Sequence, residues 1–148
     1  MTRLPSGERR IVGRSVPSAV FGAFVARGLA ATAAVSLAGQ FGSSRHKMVM
    51  WGVFTSPRHR RRGLSRVVVG EALRHAFDNG ARRVNLQVYV PNDAALALYR
   101  ALGFHEYGTE PEAVCLGGAY HDGVHMTLTN SRHNMPVNLQ PLTAAHLP

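Results

Sequence analysis

The chain has 148 residues, 45% of them hydrophobic and 17% charged, which suffices for one packed core and excludes a disordered chain. A single cysteine, Cys115, excludes an internal disulfide, so a reducing, cytoplasmic setting is expected and the thiol reads as small and buried. The net charge of +9, from 17 Lys and Arg against 8 Asp and Glu, directs the surface toward anions such as phosphates, nucleic acid or acidic lipid.

The start, MTRLPSGERR before an apolar stretch, imitates a secretory signal, but Arg27 and scattered Gly and Pro residues break it. The uncharged run 28–44 falls short of the roughly 20 apolar residues a membrane span needs, so no contact with a membrane is expected. Residues 20–25 and 29–37 read as two strands of a hairpin turned at Ala26, Arg27 and Gly28. Residues 46–55 read as a strand buried on both faces, with Val49, Trp51 and Val53 opposite Met48, Met50 and Phe54, closed by Pro57.

From Leu64 the apolar spacing turns helical through Val68, Ala72 and Ala76, with Val69, Leu73 and Phe77 alongside, and Asn79 and Gly80 stop it after about four turns. Val84, Leu86, Val88 and Val90 alternate with Arg83, Asn85, Gln87 and Tyr89, the period of a strand that Pro91 ends. Asn92 is a natural N-cap for a helix to about Leu102, expected to bury Ala95, Leu98, Tyr99 and Leu102. Gly103 then terminates it before a strand from Phe104. The tail after Leu128 shows no period and reads as an irregular extension. One domain over 1–148 is expected, with a core at 20–128, a short extension 1–19 and a tail 129–148.

The loop SPRHRRRGLS joins a strand to a helix and carries the first chemistry. Free backbone N–H groups and about half a positive charge gather at a helix N-terminus, so such a turn binds phosphates without a metal. Glycine at position 63 lets a diphosphate approach the amides and permits a positive φ. Arg58, Arg60, Arg61 and Arg62 add guanidinium groups that pair with phosphates, of which one or two are expected to touch a ligand. A nucleic-acid patch is the competing reading and ranks last, because PRHRRRG has no interleaved aromatics. His121 and His125 are four apart, yet Gly123 between them favours strand or loop over a helical metal pair, and no metal is expected.

Arg60, Gly63 and Ser65 occupy the spaced positions of the [QR]xxGx[GA] signature, with serine at the last position, and NDAALALYRALGF (92–104) looks like NxxAxxLYxxxGF. With these two segments in register, the chain resembles the GNAT superfamily of N-acetyltransferases. The resemblance implies an α/β (α+β) fold, a three-layer α/β/α sandwich around a mixed, mostly antiparallel sheet. Its N-terminal strand and helix region is reduced, since about nineteen residues precede the first hairpin.

It implies acetyl-CoA as acyl donor and direct transfer to an amine of a small molecule, a protein N-terminus or a lysine. The implied donor-binding residues are Val53, Phe54, Thr55, Arg60, Arg61, Arg62, Gly63, Leu64, Ser65, Asn92 and Tyr99. A backbone N–H near Val53 or Phe54 would steady the oxyanion, and Tyr99 would be the catalytic acid to the leaving thiolate. Two further readings accompany it: a catalytically weak acyl-CoA-binding relative, and self-association into a homodimer through an exposed sheet edge. The residue that deprotonates the amine is unassigned. His46, Glu110, His121 and Asp122 qualify by type, each read first as an ordinary surface or loop residue.

Overall fold

The computed structural model describes residues 8–15, 18–39 and 42–131. Strand β1 (Glu8–Ser15) leads into the hairpin β2 (Ser18–Val25) and β3 (Gly28–Leu37), followed by β4 (Lys47–Thr55). Helix α1 (Leu64–Asp78), β5 (Arg83–Tyr89), α2 (Asp93–Ala101), β6 (His105–Leu116) and β7 (Ala119–Thr129) complete the described chain. The strands form one mixed sheet in the order β1-β2-β3-β4-β5-β7-β6, in which only β4 and β5 pair in parallel. This is the α/β fold with a mixed, mostly antiparallel sheet expected from the sequence, but of the expected three layers the described residues supply the sheet and one helical layer, because no helix precedes β2 among them.

Both helices belong to crossovers between parallel strands, β4 to β5 and β5 to β6, so their right-handed connections lie on one face. Their apolar sides enter one core: Leu64, Val68, Val69, Ala72, Leu73 and Ala76 from α1, and Leu96 and Tyr99 from α2. The sheet contributes Val84, Leu86 and Val88 of β5, the alternation read from the sequence. Under α1 the lining is mostly alanine, with Ala19, Ala23, Ala31 and Ala33 from β2 and β3 in the same core as Ala72 and Ala76. Small residues on both surfaces bring backbone close to backbone and leave no room for added volume. Ala72→Leu is therefore expected to cost about 1–3 kcal/mol, read as a lower melting temperature. Ala97→Leu on the exposed side of α2 should stay within about 0.5 kcal/mol.

The opposite face of the sheet carries no helix among the described residues. Alternation from the Val49–Asn85 pair puts Val49, Trp51 and Asn85 on it, and the register with β3 adds Phe54 beyond a bulge. This corrects the expectation of a strand buried on both sides. Met48 and Met50 are buried against the helices, while Trp51 is 53% and Phe54 55% exposed because nothing packs over them.

Three further expectations shift. Leu96 and Tyr99 are the buried residues of α2, whereas Ala95, Leu98 and Leu102 are only half-buried at its margin. Cys115 is exposed rather than buried, because the β6–β7 hairpin runs past the helices that cover the core. β7 continues to Thr129, and the expected irregular tail otherwise falls on 132–148, outside the described residues.

Candidate functional site

β4 and β5 pair only through Lys47–Arg83, Met48–Val84 and Val49–Asn85. Beyond that point the two strands part, and the sheet opens between the second half of β4 and the second half of β5. The divergence coincides with a bulge in β4, where Ala33 alone stands opposite Gly52 and Val53. Gly52 holds φ +60, a conformation that favours glycine, and Thr32 Oγ1 donates to the Gly52 carbonyl at 2.7 Å, pinning the bulge. Val53 and Phe54, the expected oxyanion donors, lie at this distortion, where the backbone amides are turned from the regular ladder.

The loop after β4 leads to an uncapped helix. Gly63 is the N-cap of α1 with φ +73 and ψ 11, no side chain caps this end, and the first turn holds no acidic residue. The first bond of the helix is Val67 N–H to the Gly63 carbonyl, at 3.2 Å. The amides of Leu64, Ser65 and Arg66 therefore remain available to an outside acceptor. A Cβ built on Gly63 meets no atom within 4 Å, so the space over these amides is open. The residues thus fit the diphosphate of an acyl-CoA: unpaired donors, a helix end free of competing carboxylate, and a glycine whose side-chain position is clear.

Thr55, at the end of β4, hydrogen-bonds Ser65 in the first turn of α1, fixing the helix start to the strand end. Ser65 thus acts as a tie between two elements, a use of its hydroxyl that composition does not reveal. Arg60 Nε reaches back to the Thr55 carbonyl at 3.4 Å, while Arg58, Arg61 and Arg62 are exposed. Arg61 adopts φ +61, which costs a non-glycine residue of order 1 kcal/mol. Nδ1 of His59 is sealed from solvent without a hydrogen-bond partner, the sole such side-chain atom among the described residues. Both penalties persist only where the surrounding structure holds the loop in this conformation.

Asn92 and Tyr99 open and close two turns of the same helix, but only one of them is buried. Asn92 Oδ1 accepts the Ala95 N–H at 3.2 Å, the expected N-cap. Tyr99 is 6% exposed, its ring set edge-on against Phe104 with centroids 5.6 Å apart. Burial pushes its pKa from 10.0 to about 12. Because His59 Nδ1 is the one stranded side-chain atom, the Tyr99 hydroxyl either reaches solvent or is hydrogen-bonded.

The candidates for a base divide. His46 is exposed, and its carbonyl accepts the N–H groups of Arg82 and Arg83; Asp122 accepts the Glu112 N–H at 2.9 Å; His121 Nδ1 meets the Val90 carbonyl at 3.2 Å. Glu110 differs, since its Oε2 lies 3.1 Å from His125 Nε2 and 2.8 Å from Gln87 Nε2. Sequence reasoning weighed His125 only as a metal ligand and passed over Gln87. No spacing signal joins them, because the cluster spans three strands. Among the described residues, no three His, Cys, Asp or Glu side chains gather as a metal would require.

The profile of the acetyltransferase (GNAT) family matches residues 9–104, which include the Gly63 loop and the 92–104 segment that contains α2. A spermidine N(1)-acetyltransferase of Vibrio cholerae serotype O1 is 28% identical over 89 residues, covering 60% of this chain and 51% of that protein. An uncharacterized Mycobacterium leprae protein, ML0378, is 36% identical over 67 residues, 45% of this chain and 18% of that one. The match thus spans about half of the first and a smaller part of the second. Among solved structures, yncA of Salmonella typhimurium, determined with its cofactor acetyl-CoA, superposes with a TM-score of 0.73 at 21% identity over 80% of this chain and 68% of that one. A GNAT-family acetyltransferase of Streptococcus pneumoniae gives 0.73 at 25% identity, covering 78% and 69%.

Proposed function

Since this chain belongs to the GNAT acetyltransferase family, we propose that it transfers an acetyl group from acetyl-CoA to a primary amine of a small molecule or protein, by direct attack. The observation that carries this reading is the unfilled amide turn at Gly63, at the mouth of the gap between β4 and β5. In it the amides of Leu64, Ser65 and Arg66, with Arg61 and Arg62 beside them, would hold the diphosphate. Acetyl-CoA, when bound, supplies a thioester carbonyl open to attack by an amine.

The second half of β4, past the Gly52 bulge, would supply backbone donors for a developing oxyanion. Asn92 caps α2 through its side-chain oxygen, which leaves the two N–H groups of its amide as the donors that would reach a ligand arm. Tyr99 keeps its proton at every pH in which the enzyme would work, because its pKa is pushed up to about 12. Complete transfer of that proton to an ordinary thiolate, whose thiol has a pKa near 8.5, would run uphill by about 3–4 units, roughly 5 kcal/mol. The phenol is accordingly a standing hydrogen-bond donor toward a departing sulfur rather than a strong acid.

Acetyl-CoA at about 100 times its dissociation constant is expected to stabilise the protein by about 2.7 kcal/mol, visible as a raised melting temperature. Thiol release in the presence of a panel of primary amines should follow. A raised melting temperature without thiol release would leave a binding protein, and no shift at all would remove the reading.

A further inference from the structure

The helix-free face of the sheet carries, beside the gap, the cluster of Gln87, Glu110 and His125. Gln87 Nε2 donates to Glu110 Oε2 at 2.8 Å and lies 3.1 Å from His125 Nε2, which itself lies 3.1 Å from Glu110 Oε2. Gln87 and His125 are register partners on β5 and β7, and Glu110 reaches them diagonally from β6 between two register shifts that flank it. Space has been cleared for this arrangement. A Cβ on Gly123, which follows next along that face of β7, would stand 2.3 Å from Gln87 Nε2 and 2.7 Å from its Cδ. Gly123 has no positive φ, so the glycine serves the volume occupied by the Gln87 amide and not an unusual backbone.

We infer that the acceptor amine enters the gap from this helix-free face and that Gln87, His125 and Glu110 form the site that receives its proton. The inference rests on the acetyl transfer proposed above. The other face is closed, because Leu64, Val68, Leu96 and Tyr99 fill the space under the helices. On the open face, the exposed side chains of Trp51 and Phe54 from β4 and Tyr89 from β5 border the gap. They form an apolar rim suited to the carbon chain of an alkylamine, and aromatic faces also attract its ammonium group. Gln87 is two residues from Tyr89 on the same side of β5, so the cluster adjoins that rim.

The cluster has a hydrogen-bonding arrangement for both of its protonation states. With His125 Nε2 unprotonated, the two N–H bonds of the Gln87 amide serve Nε2 and the Glu110 carboxylate. With a proton added, Nε2–H donates to Glu110 and forms an ion pair. An ammonium acceptor thus loses one proton to the cluster, which passes it to solvent. Its nitrogen forms the bond to the acetyl carbon as the carbon–sulfur bond breaks, and the second proton shed by nitrogen ends on sulfur. Among the described residues, the other titratable or charged side chains on this face are Lys47 of β4, Arg83 and Tyr89 of β5, His121 of β7, and His105 and Tyr107 of β6, with the Tyr107 ring centroid 5.7 Å from that of His125.

The test compares wild type with His125→Gln, Glu110→Gln and Gly123→Ala, using n-butylamine and spermidine as acceptors. Thiol release at pH 7 should fall about 100-fold or more in His125→Gln, with acetyl-CoA affinity by calorimetry within about twofold of wild type. The deficit should shrink as pH rises to 9.5, because an alkylamine with pKa near 10.4 then supplies its own neutral form. A residue with only a structural role would show no such recovery. In the ligand-free protein, Gly123→Ala should shift the His125 imidazole nitrogen resonances in NMR and leave those of His75 in place. Unchanged turnover in His125→Gln, or a deficit equal at every pH, would overturn the inference. A wild type that binds acetyl-CoA but acetylates no amine would overturn it while leaving the phosphate cradle intact, whereas absence of acetyl-CoA binding would bring down the underlying reading as well.

Discussion

Gly63→Asp is expected to weaken acetyl-CoA binding by about 100-fold, close to 3 kcal/mol, while the protein still folds. The two effects separate because nothing surrounds the missing side chain: a Cβ at this position meets no atom within 4 Å. The fold therefore suffers only the conformational cost of φ +73, which aspartate bears better than most residues. The ligand suffers twice. The new carboxylate fills the approach to the amides of Leu64, Ser65 and Arg66, and its charge opposes a diphosphate at the end of α1 where no acidic residue now stands. Calorimetric titration with acetyl-CoA measures the first effect and thermal melting of the free protein the second. Equal affinity in the variant and wild type would remove the cradle from the mechanism.

Tyr99→Phe should lower kcat by about 100-fold or more with little change in acetyl-CoA affinity, since the ring still fills its place against Phe104 and only the donor is lost. The same variant should change the alkaline limb of stability. Burial raises the Tyr99 pKa from 10.0 to about 12, so the fold prefers the neutral phenol. Below pH 10 the phenol is neutral folded or unfolded, and the shift has no effect. Between pH 10 and about 12 the unfolded chain releases this proton before the folded one, so stability falls by about 2–3 kcal/mol as pH rises. Tyr99→Phe abolishes that part of the decline. Denaturant melts at pH 9 and pH 11.5 measure it, and identical pH dependence in the two proteins would contradict the burial.

The parts of this molecule that were legible in its sequence are those written in local periods. Val84, Leu86 and Val88 alternate because β5 buries one face, and α1 carries the helical spacing of a one-sided helix. Gly63 and Asn92 were legible because a positive φ and an N-cap each demand a short list of residues. The exposure of Trp51 and Phe54 was not, because apolar content on both sides of a strand says nothing about whether a second layer arrives to cover it. Cys115 misled for a related reason: a small thiol is usually interior, but here it sits on a hairpin that outruns the core. The Gln87–Glu110–His125 cluster was invisible because its members are 23 and 38 positions apart in the chain. Two register shifts in β6 decide whether they meet, and no local pattern encodes those.

The short seam of three residue pairs between β4 and β5 leaves the sheet as two plates joined along a narrow strip. Each plate is laced along its far side, β4 to β3 and β5 to β7, so the inner margins are bare strand edges inside a single molecule. An extended, amide-bearing chain slipped between those margins would act as a missing rung. It would bridge the plates and slow deuterium uptake along both edges.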